Sequence, residues 1–346
     1  KRLVGFFVTI PLAFTLESYW ALVAGIVAIR AAGVALSYNA HPYRPRFSLA
    51  AGPELFHFSK WLLINNTLLF LRYRSSDFII GKLAGAHALG IYNLSLEIAS
   101  LPTGELVMPI NRAVFPGYAK LASTPAALRA GYLEVLATIA MFVLPAGVGV
   151  ALTADLFVPV ILGPNWAGAI PMVQLLAISS ALVALQSNNG NIYLALGSPR
   201  TLTVLALLSV TIFVTLVISF ARDNGAVGAA LGNVIAVLLM LPINLSVLCK
   251  KLELKPPQYL HAIWRPFVST LGMVGIVLYI KHYILAQLTF LGTMAQLLFL
   301  CIAGAIAYAV LVGLLWHLSG RPAGAERYIV NRLADYRLKL VAEVSA

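Results

Sequence analysis

The sequence predicts an all-α, polytopic membrane protein with about ten transmembrane helices. Three observations carry this. The 346 residues are 60% hydrophobic and only 10% charged, whereas a soluble domain carries about 25% charge and could not hide so much apolar surface from water. Apolar runs recur near the roughly 20 residues that a helix needs to cross about 30 Å of hydrocarbon. Basic residues then fall almost entirely on one side of the resulting map.

Apolar windows and chain breakers place the segments in order. The predicted spans are Leu3–Leu16, Tyr19–Leu36, Phe56–Lys82, Ala88–Phe115 and Tyr132–Leu152. They continue with Ala167–Leu196, Leu202–Phe220, Ala226–Leu248, Pro266–Leu285 and Gly292–Trp316. With the N-terminus in the cytoplasm, nineteen of the 24 Lys and Arg residues fall inside, and three (Lys82, Arg222, Lys281) fall outside. Arg72 and Arg74 remain within a span. One missed helix would reverse every later loop, so this bias supports the count. It also explains the net charge of +12 as topology, with no nucleic acid required.

Two basic, proline-rich stretches divide the chain. "HPYRPRFS" (His41–Ser48) reads as a cytoplasmic connector within residues 38–54, and "CKKLELKPPQYLHAIWRP" marks a cytoplasmic loop over 249–265. Between them, 55–248 forms one six-helix unit. Residues 1–37 hold two helices, 266–317 hold two more, and 318–346 form a basic cytoplasmic tail suited to anionic lipid headgroups. The start at Lys1 and the short first run are read as those of a fragment.

Polar residues inside spans single out three clusters, because a charge near the bilayer centre costs about 2.5–3.5 kcal/mol on insertion scales. The first is Asn65 and Asn66 with Arg72, Arg74 and Asp77. The second runs through Asn93, Glu97 and Glu105 to Arg112, the first three spaced by multiples of four so as to share a helix face. The third is Gln186, Asn188, Asn189 and Asn191 in "QSNNGN". Two readings of "FLRYRSSDFIIG" (Phe70–Gly81) stay open: an external turn, or one long helix carrying its charges into the protein. Length favours the helix, since Phe56–Leu71 alone spans only about 24 Å and the plain break comes later, at "GKLAGAHALG". On a helix Arg74 pairs with Asp77, while Arg72 stays uncompensated and suits an anion, because guanidinium offers paired donors that never deprotonate. For the glutamates the alternatives are an internal ion pair or a hydrogen bond to the backbone freed at Pro102, or else coupling to a proton or sodium ion. For the asparagines they are helix–helix hydrogen bonds or substrate contact.

No nucleophile motif, paired aspartates in an exposed loop or metal-ligand spacing emerges, and no cofactor or metal is expected. Cys249 and Cys301 make no motif. The pattern is that of a conduit rather than an enzyme.

"PYRPRFS", the stretch Asp77–Leu121 and "VILGPNW" (Val160–Trp166) resemble the Wzx-type and colanic-acid-exporter-like polysaccharide flippases. These form part of the multidrug/oligosaccharidyl-lipid/polysaccharide exporter superfamily. The resemblance implies two six-helix lobes around a central cavity, about four N-terminal helices missing here, and residues 55–248 as the second lobe. It implies a bacterial inner-membrane protein that flips polyprenyl-diphosphate-linked oligosaccharides for lipopolysaccharide or exopolysaccharide synthesis, beside a polysaccharide polymerase. Arg72 and Arg74 would then hold the diphosphate, Glu97 and Glu105 would answer the driving ion, and Asn65, Asn66, Asn93, Gln186, Asn188, Asn189 and Asn191 would line the sugar path. A cation-coupled multidrug exporter is the alternative within the superfamily. A membrane-embedded glycosyltransferase or ligase is the alternative from another class, and the short external loops speak against it.

Overall fold

The computed structural model describes residues 2–16, 18, 20–40, 52–284, 292–322, 324 and 326–327. The connector His41–Ser48 and the tail beyond Arg327 lie outside these residues. The chain divides into two compact units, Lys1–His57 and Phe58–Ala346.

The first unit holds α1 (Arg2–Leu16) and α2 (Trp20–Ala40). The two pack closely because glycines face the partner helix. A Cβ on Gly5 would collide with Ile29, and one on Gly25 with Thr9. Small residues are how helices approach one another when lipid supplies no hydrophobic drive.

The second unit carries α3 (Gly52–Leu83) onward from Phe58. α3 is unbroken through Arg72–Asp77, so the long-helix reading holds and the external turn does not. Its 32 residues span about 48 Å. The break falls at Ala84–Gly85, where Gly85 takes φ +87°, a conformation open to glycine at little steric cost. α4 (Gly85–Leu121) then continues through Pro102, Pro109 and Pro116. α5 (Pro125–Ile161) starts with proline in its first turn, where the missing N–H costs nothing.

A short 3₁₀ segment, Pro164–Ala169, leads into α6 (Ile170–Gln186) and α7 (Asn189–Ala195). The "QSNNGN" cluster supplies the joint between them, as Ser, Asn and Gly do by competing for backbone hydrogen bonds. α8 (Pro199–Leu252) is two helices merged across a turn at Asn224 and Gly225, the latter at φ +56°. Its arms lie against each other at Gly228 and Gly232, where a Cβ would meet the backbone of Phe220 and Leu216.

α8 runs to Leu252 and α9 (Pro256–Tyr279) opens four residues later. Most of the 249–265 stretch expected as loop is therefore helical. Proline at the start of α9 nucleates the helix instead of preventing it. A π turn over Ile280–Ile284 comes next, and α10 (Thr293–Leu318) completes the described helices.

Among the described residues six helical stretches are long and apolar enough to cross a membrane: Trp20–Ala40, Pro125–Ile161, Pro164–Ala195, Pro199–Leu252, Pro256–Ile284 and Thr293–Leu318. Each of the other predicted spans is also a helix, or one arm of α8. α3 and α4 carry more charged and polar side chains, and the apolar part of α1 is short. On α10, Leu298, Ile302, Ile306, Val310 and Leu314 recur every four residues and stand exposed, a surface suited to lipid. The protein is a multi-pass membrane protein.

Two apolar cores hold the second unit together. One joins α3, α4, α6 and α8 around Ile80, Tyr92, Leu176 and Val217. The other joins α4, α5, α7 and α8 around Tyr118, Tyr132, Ile192 and Leu248. α9 and α10 pack on α5 through Met273, Val277 and Leu300, and Tyr308 donates to the Met141 carbonyl at 2.6 Å. Ion pairs tie down both ends of α5. Near its start Arg129 donates to Leu252 O at 3.0 Å and reaches Glu253 at 3.6 Å. About 39 Å further along the helix, Asp155 meets Lys281 at 2.6 Å.

Candidate functional site

The folding of α3, α4, α6 and α8 leaves a cavity of about 740 Å³ whose largely apolar wall carries scattered polar side chains. α4 supplies its longest wall. Asn93, Leu96, Glu97, Ser100, Gly104, Val107 and Asn111 succeed one another at steps of three and four, with one step of one, the spacing that aligns side chains on one helix face. Gly104 has no atom near where a Cβ would sit, which widens the opening. α6 contributes Ser179 and Ser180, the joint after it Ser187, and α8 contributes Phe213 and Asn233.

Arg72 projects from α3 into this cavity. Its Nη1 donates to Ser209 Oγ at 2.9 Å, and its guanidinium carbon lies 4.8 Å from the centre of the Phe213 ring. One hydroxyl and one aromatic face therefore orient the cation, and no carboxylate pairs with it among the described residues. Cation–π contact and a single hydrogen bond leave most of the five N–H donors free.

Arg74 behaves differently from the expectation that both arginines act together. It is exposed, pairs with Asp77 Oδ2 at 3.1 Å and is absent from the cavity lining. Two residues along a helix turn the side chain by about 200°, so residues 72 and 74 face opposite ways. Asp77 lies at the cavity edge and uses its other oxygen to accept from Asn93 Nδ2 at 3.2 Å. The Arg74–Asp77–Asn93 chain thus ties α3 to α4 while presenting Asn93 to the cavity.

The glutamates also separate. Glu97 lines the cavity and Glu105 does not. Eight residues are more than two full turns, so the shared face drifts by about 80° between them. Spacing by multiples of four holds for one step only. Asn65 is buried with its Oδ1 unpartnered. It lies on the Arg72 face about 10 Å along the helix, beyond the lining. Asn66 is exposed and likewise outside it.

The asparagine cluster is occupied with joints between helices. Asn188 donates to the Tyr118 hydroxyl, and Tyr132 donates to Asn189 Oδ1 at 2.7 Å. Asn191 donates to Asn188 Oδ1 at 3.1 Å, and Asn244 donates to Gln186 Oε1 at 2.6 Å. None of Gln186, Asn188, Asn189 and Asn191 lines the cavity, although Ser187 among them does. The helix–helix reading fits these four.

Three residues carry no mark in the sequence pattern that selects the clusters. Ser209 and Phe213 position Arg72, and Asn111 presents a buried, unpartnered Oδ1 on the α4 wall. Stepping from Asn93 by threes and fours would have reached Asn111. Nothing local marks Ser209 or Phe213. Among the described residues no group of three or more His, Cys, Asp or Glu could hold a metal ion.

Known proteins share sequence with this chain and the fold of this bundle. The profile of the family "Polysaccharide biosynthesis protein" matches residues 1–171. The lipopolysaccharide biosynthesis protein WzxC of Escherichia coli (strain K12) is 26% identical over 66% of this chain and 47% of its own length. The teichuronic acid biosynthesis protein TuaB of Bacillus subtilis (strain 168) is 26% identical over 68% of this chain and 50% of its own. The chain spans about half the length of these curated relatives. Lipid II flippase MurJ, in an inward closed conformation, shares the fold with a TM-score of 0.68 at 12% identity, over 91% of this chain and 66% of that one. By these matches the chain is similar in sequence to polysaccharide biosynthesis proteins and in fold to a lipid flippase, in line with the resemblance in its sequence.

Proposed function

We propose that the protein flips lipid-linked oligosaccharides across the bacterial inner membrane for lipopolysaccharide or exopolysaccharide synthesis. The observation that carries this reading is Arg72, a cation on a cavity wall with no carboxylate of its own among the described residues. A polyprenyl diphosphate brings the missing anion, and a guanidinium binds phosphate oxygens through paired donors. The polysaccharide-synthesis roles in the relatives' names support the saccharide part. In this reading Asn93, Asn111 and the serines at 179, 180 and 187 face the sugar, and Glu97 responds to a driving proton or sodium ion. A polysaccharide polymerase is the natural recipient, and the basic tail rests on anionic lipid.

One observation favours a second reading. With Arg74 outside the lining, Asp77 and Glu97 outnumber Arg72 on the cavity wall, so the wall is not net basic. A cation-coupled multidrug exporter would use such carboxylates to bind its cargo. Vesicles carrying the complete protein separate the two. Flipping predicts that a fluorescent polyprenyl-diphosphate oligosaccharide becomes accessible to a quencher confined to the far leaflet. Accumulation of a lipophilic cationic dye without that signal would favour the drug exporter.

A further inference from the structure

Arg265 lies in the third turn of α9 and is only 9% exposed. Stripping water from a guanidinium is strongly unfavourable unless a counter-charge is supplied. That charge comes from beyond α10. Glu326 Oε1 lies 2.6 Å from Arg265 Nη1, off the angle of a hydrogen bond, and Glu326 is itself 7% exposed. Among the described residues neither side chain has another charged partner.

The chain is bent so that this contact forms. Gly320 and Arg321 both adopt left-handed backbone, at φ +80° and +54°, and the Trp316 indole N–H donates to Pro322 O at 3.1 Å. The reversal caps α10: the Arg321 N–H donates to Trp316 O at 3.0 Å and the Gly320 N–H to His317 O at 3.1 Å, which directs the following residues back towards α9. The returning segment closes a second cavity of about 740 Å³, to which it contributes Gly324 and Glu326. α5 contributes Glu134 and Ala137 to the wall, and α9 contributes His261 and Arg265.

The geometry points to an internal carboxylate-binding site: the crevice between α5 and α9, built around Arg265, binds the chain's own Glu326 and so holds Pro322, Gly324 and Glu326 as a removable wall of the cavity. The ion pair is the segment's polar hold on α9, because Pro322 is held by α10. Undocking removes the carboxylate partner and opens Arg265 to the cavity, where water or another anion takes the place of Glu326.

Cysteine cross-linking in native membranes tests this. In a Cys249→Ala, Cys301→Ala background, Ala137→Cys and Gly324→Cys place thiols on two walls of the cavity. A short bifunctional maleimide should join them, read as a linked peptide by mass spectrometry. Adding Glu326→Gln should lower the yield by roughly fivefold or more, since it removes the counter-charge of a buried cation, and Arg265→Gln should do the same. If Arg265→Gln fails to accumulate in the membrane, Glu326→Gln decides alone. An undiminished link in Glu326→Gln, or no link in the parent pair, overturns the proposal.

Discussion

Arg72 of α3 and Ser209 of α8 are joined by a 2.9 Å hydrogen bond across the cavity wall. This contact fixes a cation at the boundary between two helices whose sequence positions lie far apart. It also sets which part of the guanidinium remains available to a ligand, since Phe213 covers its face.

Removing the hydroxyl should therefore loosen Arg72 without unfolding the bundle. A hydrogen bond from a charged group contributes about 1.5–3 kcal/mol, of which part is recovered because the freed guanidinium can turn to water in the cavity. Ser209→Ala should accordingly slow flipping by about two- to tenfold, measured as initial rate in vesicles, with thermal stability in detergent little changed. A rate equal to wild type would mean that Ser209 does not position the cation.

Tyr132→Phe should act in the opposite manner. The change leaves Asn189 Oδ1 buried without its donor, a loss of about 1–3 kcal/mol. Thermal unfolding should shift down while the preference among saccharide substrates stays as in wild type. A changed preference with unaltered stability would return the asparagine cluster to the sugar path.

Glu97 and Glu105 should part company. Glu97→Gln should abolish the dependence of transport on the ion gradient, and Glu105→Gln should leave it intact, because only Glu97 faces the cavity. Transport measured with and without an imposed gradient decides the matter. Equal loss in both variants would contradict the assignment, and so would no loss in either.

The helices are legible in the sequence because their signals are local. Gly81, Gly85 and Gly90 mark the end of α3, and Asn224–Gly225 marks the turn within α8. The 249–265 stretch misleads because prolines at 256 and 257 look like breakers, yet they stand in the first turn of α9, where proline is tolerated. The site is legible only in part. Nearness in sequence groups Arg72 with Arg74, while the 100° turn per residue sets them on opposite faces. The same drift separates Glu105 from Glu97. The role of the "QSNNGN" cluster depends on Tyr118, Tyr132 and Asn244, each more than fifty positions away. Local pattern reveals that these asparagines need partners, but not which partners they have.

The central claim is that Arg72, and not Arg74, meets the phosphate of the cargo. The most direct test is the flipping rate of a polyprenyl-diphosphate oligosaccharide in vesicles containing wild type, Arg72→Lys, Arg72→Ala or Arg74→Ala. A hydrogen bond to a charged group contributes about 1.5–3 kcal/mol, so Arg72→Ala should slow flipping by about tenfold or more. Arg72→Lys keeps the charge but loses the paired donors, and should fall between Arg72→Ala and wild type. Arg74→Ala should remain within about twofold, since its exposed ion pair with Asp77 contributes little. Equal rates in Arg72→Ala and wild type, or a greater loss in Arg74→Ala than in Arg72→Ala, would contradict the account.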